Sequence, residues 1–174
     1  MIVGIRTPAG DARLAEAERQ LGFAIPAAYR AFLQASDGGR PRQGWFSSRV
    51  GVTDFLGVDA VIAEQRARRG RVPADLLPIA HAEGGNLVCI ALEAKEPGAI
   101  YFWDHQREHL GPEQAVERIA GSFDEFASQL REPPRPREPA QGVHVHSNPK
   151  FRQWVMEQEA LEAQRPTLSW PPKE

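Results

Sequence analysis

The sequence predicts an α+β fold in which a mostly antiparallel sheet is packed with helices, and three observations support this prediction. Residues 76–105 read as three consecutive strands joined by two tight turns, which together form a central meander. Three short helical patterns, an N-terminal pair and a third at residues 58–69, precede this meander, and two more follow it. Because the middle strand is apolar on both faces, we expect the flanking helices to cover the sheet.

The N-terminal part is predicted to be a helix pair, preceded by a weak strand signal at residues 1–5. The first helix takes Asp11 as its N-cap and ends at Gly22, which readily adopts a left-handed backbone. The second helix opens at Pro26, which a first turn tolerates, and ends at the Asp-Gly-Gly of residues 37–39. The apolar stripes of the two helices are Leu14, Ala17 and Leu21, and Tyr29, Phe32 and Leu33.

A polar loop at residues 40–48 carries the aromatic pair Trp45 and Phe46. Three arginines accompany the pair: Arg40, Arg42 and Arg49. The loop is either a solvated connection whose aromatic rings turn inward or a basic lip beside a binding surface. A strand at residues 50–56 and a helix at residues 58–69 are predicted next, and the basic end of that helix suits the negative end of its dipole.

The meander contains the most specific local signals in the chain. Its three strands are predicted at residues 76–82, 86–92 and 100–103. Gly84-Gly85 is a strong hairpin signal, because glycine adopts the positive φ that such a turn needs. Pro97-Gly98 fits the two central positions of a type II turn between the second and third strands.

Two helical patterns after the meander complete the predicted domain, which spans residues 1–131. The first covers residues 111–121, and its apolar positions are Ala115, Val116 and Ile119. The second opens with a capping box at residues 122–125. It turns Phe123, Phe126 and Leu130 inward.

The composition changes after this domain. Residues 132–140 contain four prolines, which predict an extended, semi-rigid linker. The appendage at residues 141–174 contains one amphipathic helix, predicted over residues 149–164, whose apolar face carries Phe151, Trp154 and Val155. An apolar face needs a covering surface, so we expect it to dock either on its own domain or on another chain, a second copy included.

Composition and charge exclude several classes of protein. The chain has 174 residues, of which 41% are hydrophobic and 25% charged, as is ordinary for a soluble globular protein. Its net charge of −2 argues against a general nucleic-acid binder. No apolar run approaches the ~20 residues that span a bilayer, and the N-terminus has no signal-peptide pattern, so we expect a cytoplasmic protein. The single cysteine, Cys89, is predicted to be a small core residue.

The sequence predicts no enzyme, no metal site and no cofactor. Asp104 and Glu108 lie beside His105 and His109, which are four residues apart, like a pair of metal-binding histidines on a helix. The Gly-Pro pair at residues 111–112 leaves little room for a helix there. The chain contains neither a phosphate-binding loop nor a dinucleotide fingerprint.

Two blocks of residues point to a family. The first runs Leu14-x3-Glu18-x2-Leu21-Gly22-x2-Ile25-Pro26-x2-Tyr29-x2-Phe32-Leu33 and closes with the Asp-Gly-Gly of residues 37–39. The second comprises LPIA at 77–80, GGNLVC at 84–89 and IYFWDH at 100–105. In order and spacing the chain resembles the SUKH superfamily of the Smi/Knr type over residues 11–131. The resemblance implies an α+β domain without catalytic activity.

The resemblance also implies a function. Bacterial members of this family resemble immunity proteins, which bind and neutralise toxins, many of them nucleases; fungal relatives are linked to the regulation of cell-wall synthesis. We therefore expect a cytoplasmic domain whose partner is another protein, a toxin, with no direct nucleic-acid or membrane binding. The alternative is a structural or regulatory scaffold that assembles through its C-terminal helix.

Candidate partner-binding residues follow from the needs of such a complex. Exposed carboxylates steer association with a basic toxin, and large aromatic side chains supply anchoring energy. For charge the candidates are Glu83, Asp104 and Glu108. For anchoring they are Trp45, Phe46, Tyr101 and Trp103, each with the alternative that its ring packs inside the core.

Overall fold

In the computed structural model, residues 7–92 and 96–133 are described, together with the backbone of residues 2–3. This part of the chain contains four α-helices: α1 Asp11–Leu21, α2 Ala27–Ala35, α3 Val58–Ala67 and α4 Phe123–Ser128. It contains seven strands: β1 Ile2–Val3, β2 Arg40–Pro41, β3 Val52–Phe55, β4 Leu76–Ala82, β5 Leu87–Ala91, β6 Ile100–Trp103 and β7 Val116–Ala120. Short 3-10 helices lie at Glu83–Gly85, His105–Leu110 and Pro112–Gln114.

The strands form one five-stranded sheet and one small ribbon. In the sheet the order is β3-β4-β5-β6-β7, and every neighbouring pair is antiparallel. In the ribbon β1 pairs with β2, which confirms the weak N-terminal strand signal. The α+β prediction, the central meander and the strand predicted at residues 50–56 are therefore confirmed. Strands β3 and β7 flank the meander, and of these two only β7 was not predicted.

The sheet separates two cores, as the two apolar faces of β5 predict. Val88 and Ile90 face the first core, which all four helices cover. Leu87, Cys89 and Ala91 face the second core. Within the described residues, that core is closed by coil segments, which contribute residues such as Val72 and Ala115, whereas the four α-helices contribute their buried residues to the first core.

Tyr29 connects the helical layer to the sheet. Its side chain on α2 is fully buried, and its hydroxyl lies 2.5 Å from the carbonyl oxygen of Leu56 and 2.8 Å from that of Ile79. Burial raises the pKa of Tyr29 well above its ordinary value, so the hydroxyl stays protonated and available as a donor.

The turn residues behave as predicted, whereas one helix cap does not. Gly22 ends α1 with a φ of 85°, and Gly84 and Gly85 both have positive φ between β4 and β5. The amide of Ala99 donates to the carbonyl of Glu96 across the turn that holds Gly98 at a φ of 82°. Asp11, however, is the first residue of α1 and not its N-cap, because Gly10 has the extended backbone of the cap position.

The helix predicted over residues 111–121 is wrong. Pro112–Gln114 is a single 3-10 turn, and Val116–Ala120 is strand β7, paired with β6. The apolar positions that suggested a helix are too few to distinguish the two structures. Pairing with β6 satisfies backbone groups that would otherwise form an open sheet edge, and this tertiary demand decides the structure.

The last helix confirms its predicted start. Ser122 accepts a hydrogen bond from the amide of Glu125 at 3.1 Å, and the Glu125 carboxylate accepts one from the amide of Gly121. The predicted linker at residues 132–140 extends beyond the described residues. The predicted appendage, with Phe151, Trp154 and Val155, lies outside them, so these predictions remain predictions.

Candidate protein-binding surface

One end of the sheet brings together several of the predicted binding residues. The turn at residues 83–86 and the segment at residues 104–110 both lie there, because β4, β5 and β6 are antiparallel neighbours. The side chain of Asn86 joins the two: it donates to the carbonyl of Glu83 at 2.9 Å and accepts from the amide of His105 at 3.0 Å. We call this region, together with Trp45 and Gly51, the sheet-end surface.

Glu83 is an exposed carboxylate of the sheet-end surface, in which Arg107 is an exposed cation. Its amide donates to the carbonyl of Gly51 at 2.8 Å, and its side chain lies across that glycine, where an added Cβ would be 3.1 Å from the Glu83 Cδ atom. The Glu83 carboxylate is exposed and has no ion-pair partner among the described residues. It is therefore available to a cationic partner.

Trp45 flanks the same glycine. It forms an isolated β-bridge with Gly51 and a second one with Arg131, and its side chain is half-buried. Phe46 turns its ring towards α4, where it packs on Phe126 at 5.0 Å between ring centroids. Of the two loop aromatics, Trp45 is thus the one beside Glu83, whereas Phe46 mainly packs against the first core.

Asp104 and Glu108 contribute less free charge than predicted. Asp104 caps the 3-10 helix that follows β6, since its carboxylate accepts from the amide of Gln106 at 3.0 Å. Glu108 is held by two hydrogen bonds from Arg71, one of which measures 2.6 Å. These bonds lower the pKa of Glu108, so it stays ionised, but the adjacent guanidinium balances its charge.

The prediction that Tyr101 and Trp103 are exposed anchors is wrong. Tyr101 is 7% exposed and Trp103 is fully buried, because both point into the second core. The indole of Trp103 donates to the carbonyl of Arg71 at 3.2 Å, and the guanidinium groups of Arg68 and Arg71 lie 5.5 and 5.8 Å from its ring centroid. Trp103 therefore helps to position Arg71, which in turn holds Glu108.

A charge network next to this surface was missed by sequence reasoning. His81 on β4 places Nδ1 3.2 Å from an oxygen of Asp54 and Nε2 3.3 Å from an oxygen of Glu64. Glu64 also accepts from Arg68 at 3.0 Å. Burial would raise the pKa of Glu64, but the hydrogen bonds from Arg68 and His81 outweigh it and the net shift is downward. Because each ring nitrogen already faces a carboxylate, His81 acts as a bridge between strands and helix.

Asp54 and His81 of this network belong to one row of paired residues that crosses the sheet. Its register partners, in strand order, are Asp54, His81, Leu87, Trp103 and Val116. The same strand pairing that places Trp103 in the second core therefore also places Asp54 opposite His81. His81 is the one polar residue in the apolar sequence of β4, but its partners are far apart in sequence and only the register brings them together.

Within residues 7–92 and 96–133, no cluster of three or more His, Cys, Asp or Glu side chains could hold a metal ion. His105 faces Asn86 and His109 faces the carbonyl of Gln106, so the two histidines have separate acceptors. Cys89 is fully buried, and burial raises the pKa of its thiol. No described helix is long and apolar enough to cross a membrane.

Comparison with known proteins gives two findings. The sequence model of the SMI1 / KNR4 family (SUKH-1) matches residues 8–129. A curated relative, the SPbeta prophage-derived uncharacterized protein YokK of Bacillus subtilis (strain 168), is 39% identical over 64 residues, which are 37% of this chain and 31% of the relative. The aligned part of this chain thus spans about a third of the relative's length. The family match includes α1 to α4 and the whole five-stranded sheet.

Proposed function

Because this chain belongs to the SMI1 / KNR4 family (SUKH-1), we propose that it is a non-catalytic immunity protein of the cytoplasm, which binds and neutralises a cognate toxin. Such a protein acts by stoichiometric occlusion and turns nothing over. The observation that supports this function is the sheet-end surface, where the exposed carboxylate of Glu83 lies across Gly51 and the backbone of the half-buried Trp45 bridges to the same glycine.

The two side chains suit different steps of association. An exposed carboxylate increases the association rate with a basic surface, such as the nucleic-acid site of a nuclease toxin. A tryptophan that is partly buried by its own domain loses little side-chain entropy when a partner covers the rest, so it suits an anchor. The two β-bridges of Trp45 hold its backbone in place before the partner arrives.

The test is co-expression with the toxin-like product of the adjacent gene. We expect the protein to restore growth and to form a 1:1 complex that calorimetry detects. Trp45→Ala is expected to weaken binding by about tenfold or more, as truncation of an interface anchor does. Glu83→Lys is expected to slow association at low salt, and this loss should shrink as salt screens the charges.

Asp124→Lys is the matched control, because Asp124 is also an exposed carboxylate but lies on α4, away from the sheet-end surface. Its binding should equal that of the wild type. If the protein neither restores growth nor forms a complex, the immunity function is contradicted. A complex that both surface variants leave unchanged would contradict the assignment of the sheet-end surface.

A further inference from the structure

A small apolar pocket lies between α2, α4 and the loop after β2. Its volume is about 90 Å³, and it is lined chiefly by Phe32, Phe55, Phe123, Ala127 and Leu130, with Arg42 at its rim. We call it the aromatic pocket. It is built from other residues than the sheet-end surface.

The walls of the aromatic pocket are rigid. The rings of Phe32, Phe55 and Phe123 contact one another, with centroids 5.2 to 5.8 Å apart. Phe55 and Phe123 are buried, whereas Phe32 is only partly buried. The pocket is therefore formed in the absence of any occupant, which lowers the cost of filling it.

Size and lining define the class of occupant. Cofactors and drug-like ligands usually occupy roughly 300–1,000 Å³, well above this volume. The space suits one side chain of a few carbons. Most of the lining is apolar, and its polar side chains are those of the exposed residues Arg42 and Gln43. A charged group would lose its hydration against the aromatic walls, so an apolar side chain fits the pocket best.

The rim adds a charge preference. About half of the described arginines form ion pairs with neighbouring carboxylates, as Arg13 does with Asp37 and Arg30 with Asp11. Arg42 is exposed and has no ion pair with any described residue. A free guanidinium at the mouth of an apolar pocket attracts a carboxylate next to the inserted side chain and disfavours a cation there.

We propose that the aromatic pocket binds one apolar side chain of a partner protein whose adjacent residue carries a carboxylate that pairs with Arg42. This adds a second contact with its own sequence preference to the sheet-end surface. It does not depend on the partner being a toxin.

The proposal is tested on the full-length protein by two-dimensional NMR with three blocked dipeptides. These are acetyl-Leu-Asp-amide, acetyl-Leu-Lys-amide and acetyl-Gly-Asp-amide. We expect saturable shifts of the Ala127 and Leu130 amides with the Leu-Asp probe at millimolar concentration, and binding at least about fivefold weaker with the other two. Each comparison removes one predicted element, the carboxylate or the apolar side chain.

Two variants sharpen the test. Arg42→Glu should reverse the preference, so that the Leu-Lys probe binds more tightly than the Leu-Asp probe, and Ala127→Phe should abolish binding by filling the pocket. Arg69→Glu is the control, because Arg69 is also exposed but does not line the aromatic pocket. Since Arg42 lies on an exposed loop, its replacement should leave the folded spectrum intact.

Three outcomes would overturn the proposal. They are the absence of saturable shifts at the pocket, equal binding of the Leu-Asp and Leu-Lys probes, and shifts of the pocket amides on dilution of the protein alone, which would identify a second copy as the occupant. Failure of the toxin rescue experiment leaves the dipeptide result unaffected, so the two proposals fail independently.

Discussion

Asp37 is predicted to stabilise the domain by capping helix α3, from which it is distant in sequence. The N-cap residue of α3 is Gly57, which has no side chain to accept a hydrogen bond. Asp37 replaces it: one carboxylate oxygen accepts from the amide of Val58 at 2.7 Å, and the other pairs with Arg13 at 2.6 Å. The Asp37 side chain is only 8% exposed, whereas that of Arg13 is 41% exposed.

The structure allows the cost of Asp37→Ala to be worked out. Loss of the charged acceptor for a buried amide costs about 2 kcal/mol. The ion pair with the half-exposed Arg13 adds about 1 kcal/mol after solvent screening. The free energy of unfolding should therefore fall by about 3 kcal/mol, which corresponds to a decrease in Tm of roughly 10 °C. Asp37→Asn keeps an acceptor for the amide and should cost about 1 kcal/mol.

Urea unfolding followed by tryptophan fluorescence measures these differences. Asp59→Ala is the matched control, because Asp59 binds the same guanidinium at 2.8 Å but its side chain is 84% exposed. It should cost no more than about 0.5 kcal/mol. If Asp37→Ala and Asp59→Ala destabilise the protein equally, the reasoning from burial and capping is refuted.

Three further predictions concern other parts of the described structure. Gly38→Ala should destabilise the protein by more than about 3 kcal/mol, because the φ of Gly38 is 77° and an added Cβ would lie 2.5 Å from a backbone nitrogen. Gly22→Ala should cost only about 1 kcal/mol, because Gly22 has a φ of 85° but lies in open space. Urea unfolding compares the two variants. Glu64→Gln should lower the free energy of unfolding at pH 7. Because the pKa of Glu64 is lowered in the folded state, the difference from wild type should be present above the ordinary glutamate pKa and disappear as pH falls through the lowered one; a difference independent of pH would contradict the ion pairing. Cys89 should react with a thiol reagent only as fast as the protein unfolds, since its thiol is fully buried and its pKa is raised, and rapid labelling of the native protein would contradict this burial.

The sequence predicts most of the fold because its strongest signals are local. Gly22, Gly84 and Gly98 mark turns by a conformational freedom that other residues lack, and the structure has positive φ at all three. The stretch around Val116 and Ile119 was misassigned because a short apolar pattern fits a helix as well as a strand. Only the presence of β6, whose edge needed a partner, selects the strand.

The site was less predictable, since it depends on contacts between distant residues. Glu83 is exposed as expected for a polar residue in a tight turn. Trp103 was wrongly placed on the surface because the sequence does not reveal that coil segments close the second face of the sheet. The bridge from Asp54 through His81 to Glu64 joins two strands and a helix, and no local pattern encodes that meeting.

The position of the Tyr29 hydroxyl has a consequence for how the domain opens. Its partners are the carbonyls of Leu56, just after β3, and Ile79, within β4. If the helix pair swung away from the sheet, both buried carbonyls would lose this donor. Separation of the helical layer from the meander therefore breaks a buried hydrogen bond, which favours their opening together as one cooperative unit.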